Sequence, residues 1–138
     1  MRVAIDSSSM AKRYVKEAGS KKLDTLLQDA TELALCIIAV PEIISGLNRK
    51  LRDRVLTNSG YNQAKKQLLD DVGDSIVLQL TPAIISHSVK LLEENTLRAM
   101  DALHVACAIE WQPDLFITSD KRQLAAILKI GLPAKYIG

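Results

Sequence analysis

Arg2-Val3-Ala4-Ile5-Asp6-Ser7-Ser8-Ser9 is a short apolar run that ends on an acid and passes into three hydroxyls. The run does not alternate apolar with polar residues, so both of its faces read as buried, the mark of a strand inside a parallel sheet. Four more stretches have the same character: Leu35–Ala39, Ile76–Leu80, Leu115–Thr118 and Lys135–Ile137.

Helical patterns separate them. The spacing predicts helices over Ser8–Glu17, stopped by Gly19, and over Ser20–Asp29, with Leu23, Leu26 and Leu27 on one face. Pro41 reads as a first helical residue, followed by Ile43, Ile44, Leu47 and Leu51 at helical intervals. Asn58-Ser59-Gly60 reads as the break after it, and Tyr61–Val72 as the returning helix. Thr81-Pro82 is a cap-plus-proline start for a helix reaching Glu94. Leu97–Trp111 and Asp120–Ile130 complete the set, the last ended by Gly131. Strands alternating with helices imply one α/β domain over 1–138, a parallel sheet covered on both faces, with a helical hairpin inserted after the second strand.

Bulk composition sets outer limits. Apolar residues make up 48% and charged residues 25% of 138 residues, with a formal charge of only +2. Affinity for a polyanion must therefore come from local patches. Cys36 and Cys107 read as buried, reduced thiols and form no metal-ligand pattern. No leader is visible, and the longest apolar run, Leu33–Val40, is far too short to cross a bilayer, so a cytoplasmic protein is expected.

Ligands of open α/β sheets sit outside the carboxyl ends of the strands. Asp6 follows the first strand directly, Glu42 lies three residues past Ala39, and Asp120 lies two past Thr118. Asp101 stands near the start of the Leu97–Trp111 helix and could face the same edge. Taken singly, each acid is an ordinary helix cap or solvated charge. Together, four carboxylates with no lysine between them repel unless a hard cation such as Mg²⁺ or Mn²⁺ binds. Such an ion can activate water and stabilise charge on a phosphodiester. Ser8 could hold water or phosphate, against the simpler reading that a serine caps the helix. His104, one turn after Asp101, could touch substrate or orient that carboxylate, against a structural role. Arg49, Lys50 and Arg52, with Lys65 and Lys66, make the hairpin basic; it is either a solvated face or a contact for RNA phosphates.

These residues match a known pattern. Val3-Ala4-Ile5-Asp6-Ser7-Ser8, Pro41-Glu42, Arg98-Ala99-Met100-Asp101-Ala102-Leu103-His104-Val105-Ala106 and Phe116-Ile117-Thr118-Ser119-Asp120 follow one another in order. In this the chain resembles PIN-domain nucleases, especially toxins of the VapBC type, over essentially its full length. The resemblance implies a five-stranded parallel sheet and an Mg²⁺- or Mn²⁺-dependent endoribonuclease. It implies a homodimer and an antitoxin that blocks the site with a basic side chain. The four acids carry over to Asp6, Glu42, Asp101 and Asp120, with Thr118 or Ser8 assisting. Two other readings compete. An aspartyl-phosphate phosphatase usually carries a second Asp two residues after the first, where this chain has Ser8. A non-catalytic module holding RNA or protein would not need four acids.

Overall fold

The structure, a computed structural model, describes residues 1–138. Five strands form one sheet: β1 (Arg2–Ile5), β2 (Glu32–Cys36), β3 (Ile76–Leu78), β4 (Leu115–Thr118) and β5 (Ala134–Tyr136). Every neighbouring pair is parallel, and the order is β3-β2-β1-β4-β5. The order reverses direction between β1 and β4, where Ala4 pairs with Phe116 and Ile5 with Ile117. At such a switch point the connections leave to opposite sides and open a crevice at the carboxyl ends.

Seven helices cover the sheet: α1 (Ser7–Ala11), α2 (Ser20–Leu27), α3 (Ala39–Arg52), α4 (Asn58–Gly73), α5 (Pro82–Glu94), α6 (Ala99–Trp111) and α7 (Lys121–Ile130). Strand side chains alternate between the two faces, and the core divides accordingly. Val3, Ile5, Leu35 and Ile117 pack against Met10, Leu23, Ile43, Leu47 and Leu68 from α1 to α4. Ala4, Cys36 and Phe116 pack against Ile84, Leu91, Val105, Ala106 and Ile127 from α5 to α7. The fold is therefore a three-layer α/β/α sandwich, with α3 and α4 as the hairpin after β2. Helix α6 buries seven of its residues, four of them alanine or cysteine, and these small side chains let it lie close to the sheet.

Several boundaries differ from the sequence expectation. Strand β2 runs over Glu32–Cys36 and not Leu35–Ala39. The apolar run continues past the strand because Ile37 and Ile38 form a turn and Ala39 opens α3. Pro41 is consequently the third residue of α3, where its missing N–H is still no loss. Asn58-Ser59-Gly60 opens α4 where it was expected to break a helix, since Thr57 caps that helix by accepting from the Gly60 N–H. The first helix stops at Ala11, well before Glu17. Beyond it Lys12 turns inward and donates to the Ala18 carbonyl at 2.6 Å. Gly19, at φ +90°, comes so close to the Ile137 carbonyl that no Cβ fits there.

Candidate active site

Asp6 lies at the switch point, fully buried. It caps α1: its Oδ1 accepts from the Ser9 N–H at 2.9 Å and from the Ser8 hydroxyl at 3.5 Å. No serine caps this helix, contrary to expectation, because the acid leaving β1 reaches the orphan N–H first. Oδ2 accepts from the Thr118 hydroxyl at 2.6 Å and from the Ser119 N–H at 3.4 Å, at the end of β4. The carboxylate, which directly follows β1, thus ties the start of α1 to the end of β4.

The other acids sit at the starts of helices at the same edge. Asp120 caps α7, accepting from the Arg122 and Gln123 N–H groups at 2.7 and 3.0 Å. Its own N–H donates to Thr118 Oγ1 at 3.0 Å, so one hydroxyl joins Asp6 to Asp120. Asp101, in the first turn of α6, accepts from Gln123 Nε2 at 3.0 Å and, more loosely, from Arg98 Nε at 3.4 Å. Glu42, in the first turn of α3, pairs with His104 Nε2 at 2.6 Å. His104 Nε2 also lies 3.4 Å from the Ser7 hydroxyl. His104 therefore holds the second acid; Asp101, which it was expected to orient, is held by Gln123.

Hydrogen bonds link Asp6, Asp120 and Asp101 through Thr118 and Gln123, while Glu42 is held separately by His104; the acids do not close into a cage. No three Asp, Glu, His or Cys side chains gather as a ready metal site. Each carboxylate is instead held by its own hydrogen-bond donors. The donor set still suits a hard divalent cation, being entirely carboxylate oxygen. Asp6 and Asp120 take part in no salt bridge, and the nearest basic influence on Asp6 is His104, which it helps to raise. The residues that would hold such an ion are Asp6, Glu42, Asp101 and Asp120.

Beside Glu42 a cleft of about 430 Å³ is lined by Ser7, Ser8, Arg49, Lys50 and Arg98, with Ile43 and Leu47 among its apolar walls. Two of the five expected basic contacts therefore flank the site. Arg52 is exposed outside the cleft. Lys65 and Lys66 line a separate depression, and Lys66 pairs with Asp70 at 3.0 Å.

Glu42 and His104 give the fold a pH-dependent tie. Burial pushes the Glu42 carboxyl upward, but the hydrogen bond and charge of His104 outweigh it and hold the group below its usual 4.5. Burial pushes His104 down, and Glu42, with help from Asp6, raises it above its usual 6.5. The raised histidine contributes stability that is complete below 6.5 and lost as pH climbs through its folded value. The lowered carboxylate contributes stability that is complete above 4.5 and lost as pH falls through its folded value. In EDTA, Glu42→Gln should therefore cost more stability near pH ~5.5 than near pH ~9. Urea midpoints at the two pH values measure this, and equal costs would mean the pair is not ionic.

Sequence reasoning missed Gln123 and did not single out Arg98 or Ser7. Gln123 did leave a signal: it is a polar residue three and four positions before the buried Ala126 and Ile127, on the apolar face of α7. The cysteines also proved to be neighbours. Cys36 and Cys107 share the core on the α5–α7 side of the sheet, and their interaction brings Cys36 down to about 7 and pushes Cys107 up.

Comparison with known proteins agrees with this geometry. The PIN domain profile matches residues 3–127. Ribonuclease VapC45 of Mycobacterium tuberculosis is 31% identical over 108 residues, 78% of this chain and 74% of the relative. Among solved structures, a toxin–antitoxin complex from Klebsiella pneumoniae superposes with TM-score 0.71 at 16% identity, covering 99% of this chain and 98% of that one. VapC20 of Mycobacterium tuberculosis, described as a sarcin–ricin loop cleaving toxin, gives 0.70 at 16% identity over 90% and 94% of the two chains. Matched by the family profile over most of its length, and carrying the parallel sheet with an acid at its switch point, the chain belongs to the PIN-domain family.

Proposed function

We propose that this protein is an endoribonuclease that uses Mg²⁺ or Mn²⁺ at the edge formed by Asp6, Glu42, Asp101 and Asp120. The observation that carries the reading is Asp6 itself. It is a fully buried carboxylate at the switch point with no Lys or Arg partner, tied by hydrogen bonds to α1 and β4. Hydrogen bonds and the nearby His104 offset part of the cost of burying this charge, and a bound cation would offset more. The similarity to ribonucleases of the VapC type supports RNA as substrate.

When bound, the divalent ion supplies Lewis-acid charge to the phosphodiester. The chain's residues do the rest. Thr118 fixes Asp6 relative to Asp120 through one hydroxyl. His104 holds Glu42 on the first turn of α3. Arg49, Lys50 and Arg98 place positive charge along the cleft where flanking phosphates would lie. Ser7 and Ser8 line the same cleft and offer hydroxyl donors.

The reading extends to partners. Solved structures with this fold include a VapBC2 complex bound to a promoter DNA fragment and a DNA-bound VapBC, which supports an antitoxin for this chain as well. An antitoxin arginine suits the acidic edge, because its planar fork pairs with carboxylates. A homodimer fits the exposed stripe of Ile85, Val89 and Leu92, spaced to share one face of α5. No helix is long and apolar enough to cross a membrane. The function is tested by incubating purified protein with total cellular RNA in Mg²⁺ and sequencing the new ends. Discrete new ends are expected; covalent phosphate on Asp6 without RNA fragments would favour the phosphatase reading instead.

A further inference from the structure

We propose that Gln123 is the positioning residue that fixes Asp101 for metal capture and ties its geometry to that of Asp120. The inference rests on reading the acidic edge as a divalent-metal site. Gln123 is 3% exposed in the first turn of α7. Its backbone N–H donates to Asp120 Oδ1 at 3.0 Å, and its side chain crosses to α6 and donates Nε2–H to Asp101 Oδ1 at 3.0 Å. One residue thus holds two acids carried by two different helices.

The amide's orientation is forced. An ionised carboxylate only accepts hydrogen bonds, so the NH₂ end must face Asp101. Oε1 is then turned the other way, where it is buried with no partner. A buried acceptor left unpaired is a standing cost. Methionine or leucine would fill the space without it, beside Ala126 and Ile127. The benefit that offsets this cost lies at Asp101. The amide occupies Oδ1, so Oδ2 is the oxygen left to present to a cation. Its one other contact is a 3.4 Å approach from Arg98, whose side chain is 76% exposed and free to swing away. The amide is also neutral. It orients Asp101 while leaving its negative charge intact, which a Lys or Arg at this position would cancel. Groups that orient a metal's ligands typically matter about 10- to 100-fold in metal affinity or activity.

The test uses the intact chain with two variants, Gln123→Met and Gln123→Asn. The first removes the donor at similar length; the second keeps an amide one methylene too short to reach Asp101. Mg²⁺ affinity is measured by calorimetry without RNA, alongside melting curves in EDTA and in Mg²⁺. Both variants should bind Mg²⁺ roughly 10- to 100-fold more weakly, and cleavage should need correspondingly more Mg²⁺. Gln123→Met should melt in EDTA close to wild type, since the loss of the bond to Asp101 Oδ1 is set against removal of the orphaned Oε1. If it fails to fold, the affinity of Gln123→Asn decides. Wild-type Mg²⁺ affinity in the variants, or a lower melting point in EDTA with unchanged affinity, would make Gln123 merely structural and overturn the proposal. If wild type itself shows no Mg²⁺ binding, the metal reading falls and this inference falls with it.

Discussion

Asp6→Asn is expected to abolish RNA cleavage, by on the order of 10³-fold or more, while leaving the metal-free fold as stable as wild type or more so. The loss should exceed that of a residue that only orients a ligand, because Asp6 is the acid at the switch point. The stability sign follows from its hydrogen bonds. The Asn Oδ1 can still accept from Ser9 N–H and keep the α1 cap. Its Nδ2 meets Thr118 Oγ1, which can accept if its proton turns to the Asp120 carbonyl, already 3.3 Å away. Only the 3.4 Å contact from Ser119 N–H is left without an acceptor. Against that small loss, the burial cost of a charge with no Lys or Arg partner disappears, a net gain of about 1 kcal/mol in EDTA. Burial of one charge drives this gain, since no three of the acids gather into a ready metal site. Asp6→Ala should be equally inactive but less stable by about 0.5–2 kcal/mol, because it removes the cap. Thermal melts of the three proteins in EDTA check the order. If Asp6→Asn melted well below wild type, Asp6 would be a structural cap and no more.

Replacing Arg49 and Lys50 together by alanine should weaken RNA binding roughly 10-fold at moderate salt. The side chains line the cleft next to Glu42, where phosphates flanking the cut would pass. Each lost phosphate contact should flatten the dependence of log affinity on log salt by about 0.7 for a single strand, so the pair should flatten it by about 1.4. Binding measured in the Asp6→Asn background avoids cleavage during the assay. The matching pair Lys65→Ala and Lys66→Ala should have a smaller effect, since these residues line a separate depression and Lys66 is paired with Asp70. Equal effects from both pairs would point to a diffuse basic face and not to a defined path along the cleft.

The parallel sheet was legible because its strands are apolar on both faces, and the order of strands and helices follows from the connections they permit. Strand β2 was misplaced by three residues because nothing local distinguishes Glu32–Cys36 from the Ile37–Ile38 turn that follows: the apolar run is continuous, and tertiary packing decides where pairing stops. The Asn58-Ser59-Gly60 segment carries turn chemistry that serves equally well as the first turn of a capped helix. At the site, the positions of the acids could be read from their distance past each strand. Their partners could not. Gln123 reaching Asp101 spans 22 residues, and His104 reaching Glu42 spans 62. Such pairings depend on how α6 packs between α5, α7 and the sheet, which no local pattern encodes.

The most direct test of the acidic edge is the initial rate of RNA cleavage by wild type and Asp6→Asn in Mg²⁺, in EDTA, and after Mg²⁺ is restored. Wild type should cut in Mg²⁺, stop in EDTA and recover when the ion returns, while Asp6→Asn stays silent in all three. Undiminished cutting in EDTA, or cleavage by Asp6→Asn at the wild-type rate, would contradict a metal-dependent site built on Asp6.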